Sequence, residues 1–340
     1  MNLGELSTDF LLPLLEATRQ NDRNPEQVLA QYGFQEEQLQ HPGQWLSIAR
    51  FMRIGEALID LTDNPGLGLE AGRLGGLTGA GLAGMAAITA PTLGDALETL
   101  TRFEPLYARN IRGSSQWHRD ALQSHLCFYS IAPYNEYNRF VVDSILAGWV
   151  QLCEQLTGRS DLVEAMTIEF EAPHYVSHYT RELSCRIEFG QPQNAVILKE
   201  GAEQTRLLFA SLPDHRRMVS LCQTQLESIS HPLTISHKTA RAIAACLPKP
   251  CTLEIIAEAL KTPHWTLRRK LQEENTTFKE ILEQTRKELA GSYLANTATA
   301  VSEVAYLTGF SSTEAFQRAF KRWTGLPPGE YRRQNQPVNN

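Results

Sequence analysis

The chain has 340 residues, 42% hydrophobic and 21% charged, the balance of an ordinary globular protein with enough material for two or three domains. No apolar run reaches the length of a bilayer span. The opening Met1-Asn-Leu-Gly-Glu-Leu6 lacks the basic-then-apolar pattern of a secretory leader, so a cytoplasmic location is expected, with no membrane partner. Six cysteines (127, 153, 185, 222, 246 and 251) are scattered without a C-x-x-C and read as free thiols of a reducing compartment. The net charge of −6 conceals a division. Residues 236–340 hold 15 Lys and Arg against 10 Asp and Glu, a net +5, which leaves −11 for residues 1–235. An acidic body carrying a basic module suggests a nucleic-acid partner for the module.

In chain order, residues 3–19 predict a helix with Leu3, Leu6, Phe10, Leu14 and Leu15 on one side, and Asn24-Pro25 opens another. Residues 45–62 predict a strongly amphipathic helix. A glycine-rich stretch comes next, from Pro65 to Gly84, then a helix capped near Thr92 that runs to about Tyr107. Between residues 106 and 131 the pattern turns strand-like, around Ile111, Trp117 and 122–130. A long helix is expected over 135–157, a strand over 163–171, a helix over 174–183, and strands over 186–189 and 195–199. Mixed strands and helices make this an α+β domain. A polar helix from Asp214 to about Ser230 links it to the C-terminal region, and His231-Pro232 marks a boundary.

The last ninety residues read as two helix-turn-helix units, Thr252–Leu271 and Ala300–Phe320. Each has a short apolar-periodic helix with a central small residue, Ala257 or Ala305, then a turn, then a helix with a polar or basic exposed face. That layout suits a module whose second helix enters the major groove of double-stranded DNA. In the first unit Thr262 is expected to cap the second helix with Pro263 at its first position. In the second, Gly309 ends one helix, and Ser311 with Glu314 forms a capping box for the next. Leu267 and Leu271, and Phe316 and Phe320, recur at i, i+4 and face the module's core. Phe278, Ile281, Leu282, Thr285 and Leu289 form one stripe of the helix between the units, which fixes the distance between the reading helices.

The run Ala315-Phe-Gln-Arg-Ala-Phe-Lys-Arg-Trp-Thr-Gly-Leu-Pro-Pro-Gly-Glu-Tyr-Arg332 closely resembles the signature of the arabinose-regulator (AraC/XylS) family. So do Thr266-Leu-Arg-Arg-Lys-Leu271, Gly309-Phe310 and Arg286-Lys-Glu-Leu-Ala290. The resemblance spans roughly residues 234–333, and the family's usual Ser at the first reading helix is here Thr262-Pro263. More weakly, Thr62-Asp-Asn-Pro-Gly-Leu-Gly-Leu, Ala90-Pro-Thr-Leu-Gly-Asp-Ala-Leu and Glu171-Ala-Pro-His-Tyr resemble the ligand-sensing domain of the subgroup that includes regulators of ornithine use and quorum-sensing virulence. The resemblance implies an α+β sensing or dimerisation domain over 1–205, a linker helix over 206–233, an all-α tandem module joined by a helix over 234–333, and a tail over 334–340. It also implies a homodimer, RNA polymerase as a partner, and an unidentified small-molecule effector.

Matching the chain to the family position by position places Trp265, Arg268 and Arg269 on the first reading helix. On the second it places Thr313, Glu314, Gln317 and Arg318, with Ser312 beside them. Arginine can bond guanine O6 and N7, glutamine suits adenine, and glutamate accepts from cytosine N4. Lys270, Lys321 and Arg322 suit phosphate contacts or a solvated face.

Other motifs carry less. Gly79-Ala-Gly-Leu-Ala-Gly84 matches G-x-G-x-x-G, but the preceding residues lack β-branched character, so a turn with close helix packing is expected rather than a dinucleotide cofactor. His174 and His178 lack a further ligand for a metal. No nucleophile sits in a catalytic motif, so an enzyme fused to a DNA module is the weaker alternative. The expected function is sequence-specific regulation of transcription, by activation, under effector control. The alternative is a regulator without effector whose N-terminal domain only dimerises.

Overall fold

The computed structural model of the protein describes residues 4–39, 43–77, 79–110, 113–119, 123–131, 134–135, 138–229, 235–296 and 299–335. The chain divides into two compact units, one of Glu5–Arg109 with Gly113–Ile229 and one made almost wholly of Ser230–Asn340. Among the described residues, no helix is long and apolar enough to cross a membrane.

The first unit begins with β1 (Gly4–Ser7), α1 (Leu11–Gln20), α2 (Glu26–Gln31), α3 (Glu36–Leu39), β2 (Trp45–Ser47) and α4 (Ile48–Thr62). Next come α5 (Leu67–Gly75), α6 (Gly81–Ile88), α7 (Leu93–Arg102), β3 (Ala108–Asn110), β4 (Gln116–His118), β5 (His125–Phe128) and α8 (Arg139–Thr157). It closes with β6 (Val163–Thr167), α9 (Val176–Glu182), β7 (Arg186–Glu188), β8 (Asn194–Leu198) and α10 (Leu212–Ile229). The strands form a small sheet in the order β2-β1-β3 and a larger one in the order β4-β5-β8-β6-β7. In the larger sheet only the β6–β7 pairing is parallel. The unit is α+β, as the mixed periodicities imply.

Short-range chemistry sets most of these boundaries. Thr92 caps α7 by accepting the Asp95 N–H at 3.3 Å, and the Asn24 side-chain Oδ1 accepts the Glu26 N–H at 2.9 Å where α2 begins. The amphipathic run from residue 45 is not wholly helical. Trp45–Ser47 pairs with β1 in an extended conformation, and Ser47 then caps α4 through the Arg50 N–H. A β-pairing partner far away in sequence overrides the local helical period there.

The glycine-rich stretch contains two helices, α5 and α6. Its glycines are needed for contact rather than for turning. A Cβ at Gly68 would lie 2.7 Å from the Phe140 carbonyl oxygen, and one at Gly72 would lie 2.5 Å from that of Ser144. α5 therefore crosses α8 backbone to backbone, an approach open only to a residue without a side chain. The G-x-G-x-x-G segment comes after α5, a helix rather than a strand, and opens α6 at Gly81. α10 lies in the first unit, with Cys222 fully buried and Met218, Val219 and Leu226 packed on that unit's core. His231-Pro232 lies outside the described residues.

Among the described residues from 235 onward the elements are all helices: α11 (Ile235–Cys246), α12 (Leu253–Ala259), α13 (His264–Glu273), α14 (Phe278–Asn296), α15 (Val301–Leu307), α16 (Thr313–Thr324) and α17 (Pro328–Asn335). The second unit holds two apolar clusters. One joins Ile243, Leu247, Ile256 and Leu267; the other joins Val304, Ala305, Phe316 and Phe320.

Asp143 is the most unusual core residue of the first unit. It sits on α8, fully buried, and accepts hydrogen bonds from the Tyr175 hydroxyl at 2.9 Å and from the Tyr179 hydroxyl. Burial pushes its carboxyl up to about 7, against the pull of the two hydroxyls and Arg139. A carboxyl raised on folding contributes stability at low pH, and that contribution is lost as pH climbs from the ordinary carboxylate value, near ~4, toward about 7. Asp143→Asn cannot ionise, so its melting temperature should gain on that of the unsubstituted protein between about pH 4 and about pH 7. A melting-temperature difference that stays constant across that range would show that Asp143 does not titrate there.

Candidate nucleic-acid interface

Each helix-turn-helix unit is built by the same local rules. Thr252 caps α12 by accepting the Ile255 N–H, and the small Ala257 is buried where the two helices of the unit meet. The turn after α12 closes when the N–H groups of Lys261 and Thr262 bond back to the carbonyls of Glu258 and Ala257, both at 2.9 Å, with Lys261 at φ 49°. In the second unit, the N–H groups of Gly309 and Phe310 bond the carbonyls of Tyr306 and Ala305 at 2.8 and 2.9 Å, with Gly309 at φ 74°. Both turns are thus the same helix-ending motif with one left-handed residue.

The start of each reading helix differs from expectation by one residue. Thr262 does not cap α13: its hydroxyl donates to the Leu260 carbonyl, and Pro263 stands in the extended cap position before His264. Ser312 caps α16 by accepting the Ala315 N–H at 3.2 Å. The expected pair of Ser311 with Glu314 is therefore displaced by one position. In the first unit the turn motif runs through Thr262 itself, and in the second it ends at Phe310 and one further non-helical residue, Ser311, precedes the cap.

α13 buries Leu267 and Leu271 and leaves Trp265, Arg268, Arg269 and Lys270 exposed, with Trp265 two-thirds accessible (66%). Spacings of three and four put Trp265, Arg268 and Arg269 on one face, with Lys270 at its flank. Arg269 lies 3.8 Å from Glu273 on the same helix, a weak exposed pair. α16 buries Phe316, Ala319 and Phe320 and exposes Ser312, Glu314, Gln317, Arg318, Lys321 and Arg322. Glu314, Arg318 and Lys321 form the outer stripe at i, i+4, i+7. Thr313 is half-buried, and Arg322 is ion-paired to Glu283 of α14 at 3.1 Å.

The joining helix does more than the sequence indicates. α14 supplies Ile281 and Leu289 to the first apolar cluster and Ala290 and Leu294 to the second, while Tyr293 packs against both. Of the expected stripe, Ile281, Thr285 and Leu289 are buried, whereas Phe278 and Leu282 are only half-buried. Arg286, which the sequence marks only as part of a family signature, donates to the Gly309 carbonyl at 3.0 Å and lies over the Phe310 ring, 5.0 Å from its centroid. Tyr306 on α15, which no sequence pattern singles out, is 65% exposed. A large aromatic one residue after the buried Ala305 is the signal that marks it.

The first unit contains a mainly apolar cavity of about 110 Å³, lined by Phe10, Leu14, Phe51, Tyr107, Trp149 and neighbours. Its floor is the α5–α8 crossing at Gly72 and Gly148. Glu104, next to this region, is buried and accepts the Ser115 N–H and hydroxyl, both at 2.7 Å. Burial pushes its carboxyl up to about 7. His178, weighed as a metal ligand from the sequence, packs against Gly66 and stands 3.3 Å from Arg181.

Two helices with exposed polar and basic faces on one shared scaffold, in a chain that also carries an α+β unit with an apolar cavity, define a DNA-binding transcription regulator of the tandem helix-turn-helix class. Residues 23–207 match the arabinose-binding domain of AraC transcription regulators (N-terminal), and residues 256–334 match a helix-turn-helix domain family. The chain belongs to the AraC family of transcription regulators. It is similar to the ornithine utilization regulator of Pseudomonas aeruginosa, 25% identical over 300 residues that cover 87% of each chain. It is 33% identical over 103 residues to the transcriptional activator CfaD of Escherichia coli, which covers 30% of this chain and 39% of that one. The crystal structure of the transcriptional regulator CdpR from Pseudomonas aeruginosa aligns with a TM-score of 0.45 at 19% identity, covering 90% of this chain and 97% of the other.

Because Leu289 is buried in the cluster that α14 shares with the first helix-turn-helix unit, Leu289→Ala should cost about 2–5 kcal/mol of stability in the second unit. Denaturant unfolding should show a lower midpoint with an unchanged slope. A midpoint within error of the unsubstituted protein's would mean that α14 is not part of the core.

Proposed function

We propose that the protein binds specific promoter sites as a homodimer and activates transcription there by contact with RNA polymerase, under control of a small molecule held in its first unit. The observation that carries this reading is the pair of exposed faces on α13 and α16, both fastened to α14. Trp265, Arg268 and Arg269 on one helix, and Glu314, Gln317 and Arg318 on the other, are the base-edge readers. Lys270, Lys321, Ser312 and Thr313 hold the phosphates and set the register. Arg322 is partly engaged by Glu283 and contributes less than its charge suggests. Successive major grooves on one side of the duplex, ~34 Å apart, receive the two helices. The +5 charge of residues 236–340 supplies sequence-independent attraction that weakens as salt rises.

The activating role rests on the similarity to CfaD, whose name describes an activator. The apolar cavity of about 110 Å³ supports an effector of modest size and largely apolar surface, since dry cavities of ~150 Å³ hold a molecule such as benzene. Support for dimerisation comes from Met85, Leu208, Phe209, Leu212 and Leu221. These exposed apolar side chains lie on α6, on α10 and just before α10, and a second copy would cover them. The compartment is the cytoplasm, where promoter DNA and polymerase are found.

The reading is tested on an operator selected from random duplexes. Arg318→Ala should lose about 1–3 kcal/mol at the cognate site and relax preference at one base pair. Lys321→Ala should weaken cognate and random DNA by a similar factor. Equal losses on both DNAs for Arg318→Ala would reduce that arginine to a phosphate contact.

A further inference from the structure

The β4–β5 hairpin brings together three metal-binding side chains that are far from any motif in the sequence. Its antiparallel register sets His118 opposite His125 and Gln116 opposite Cys127. Strand alternation sends His125 and Cys127 to one face while the buried Leu126 and Phe128 turn to the other. Cross-strand partners point the same way, so His118 joins that face. The two imidazoles stack with centroids 4.9 Å apart. One ring nitrogen from each and the Cys127 Sγ all lie within 4.8 Å of one another.

Zinc bound by two imidazoles and a thiolate at ~2.0–2.3 Å needs its donor atoms roughly 3.3–3.6 Å apart in a tetrahedral arrangement. The donors lie within 4.8 Å of one another and none of the three side chains is buried, so rotation about their side-chain bonds is the movement that binding requires. The backbone beneath is fixed by pairing of β5 with β8, where His125 faces Ile197 and Cys127 faces Ala195. It is also fixed by Trp117, whose ring approaches Gly94 of α7. Two imidazoles and one sulfur select borderline-to-soft cations over magnesium or calcium. His118 is exposed, which leaves an entry path from solvent and a fourth coordination position open.

We propose that His118, His125 and Cys127 form a three-ligand site for a d10 cation, Zn2+ or Cu+, on the edge hairpin of the larger sheet. The cation binds by displacing the Cys127 thiol proton into solvent, and the thiolate forms with the metal. Bound metal cross-links the edge strand β4 to β5 and makes the stability of the first unit depend on metal.

The test uses full-length protein stripped with a chelator and titrated with Co2+ as a spectroscopic stand-in for Zn2+. One Co2+ per chain, a thiolate-to-cobalt charge-transfer band, displacement of that band by Zn2+ and a raised melting temperature are the expected result. Anaerobic competition with a chromophoric Cu+ chelator decides whether Cu+ binds the same residues more tightly. Cys127→Ser should abolish the band, and His118→Asn should weaken binding about tenfold or more. His118 is exposed, so its variant reports even if Cys127→Ser fails to fold. A Cys246→Ser/Cys251→Ser protein and a His174→Asn protein should keep both the band and the stoichiometry. Absence of both the band and Cu+ binding, survival of either in Cys127→Ser, unweakened binding in His118→Asn, or loss of binding in the Cys246/Cys251 double variant would overturn the proposal.

Discussion

The Arg286 guanidinium donates to the Gly309 carbonyl and covers the Phe310 ring, so a side chain on the joining helix grips the turn of the second helix-turn-helix unit. Gly309 must be glycine here for two reasons. Its φ of 74° is left-handed, and a Cβ would lie 2.7 Å from Leu247 of the first apolar cluster and 3.1 Å from the Arg286 guanidinium. One residue thus touches both halves of the C-terminal unit. Burial pushes the Arg286 guanidinium down, but an arginine remains charged, and the carbonyl and ring partly replace its lost water. The relative setting of α13 and α16 depends on this seam and on α14 serving two cores at once.

A rigid seam matters because specificity resides in differences between small energies. Each well-placed side chain at a base edge contributes about 1–3 kcal/mol of discrimination. Two reading helices combine those contributions only if both meet their grooves together. A flexible joint would require each half to be ordered separately on binding. The acidic first unit and basic second unit divide the work similarly. The positive charge is concentrated in residues 236–340, while the N-terminal unit buries a large apolar core and an apolar cavity.

Features set by local forces were legible in the sequence. Apolar periodicity, the buried alanines at 257 and 305, and the left-handed turn at Gly309 act within a few residues, so both helix-turn-helix units were readable. Thr92 as a cap was readable for the same reason. The start of α16 was misplaced from Ser312 to Ser311 because one further non-helical residue follows the turn motif. Non-local contacts were invisible. The sequence marks residues 65–84 only as glycine-rich, and the reason for the glycines at 68 and 72 is the backbone of α8, 2.5–2.7 Å from their would-be side chains. Residues 45–47 looked helical because their partner, β1, lies forty residues earlier in the chain. The His118, His125 and Cys127 cluster depends on strand register, which no single segment encodes. Buried Ile281 and half-buried Leu282 are neighbours on one helix, and only the angle at which α14 packs decides between them.

The central claim is that the two reading helices are held at one fixed spacing by α14 and the Arg286–Gly309 contact. Insertion of five base pairs between the two half-contacts of a selected operator tests it most directly, because it turns the second groove away by about half a helical turn. With the spacing fixed, affinity should fall to the level of one half-contact, and protection of the second half-site from cleavage should disappear. Unchanged affinity with both half-sites protected would contradict the claim and would mean that the two units reach DNA independently.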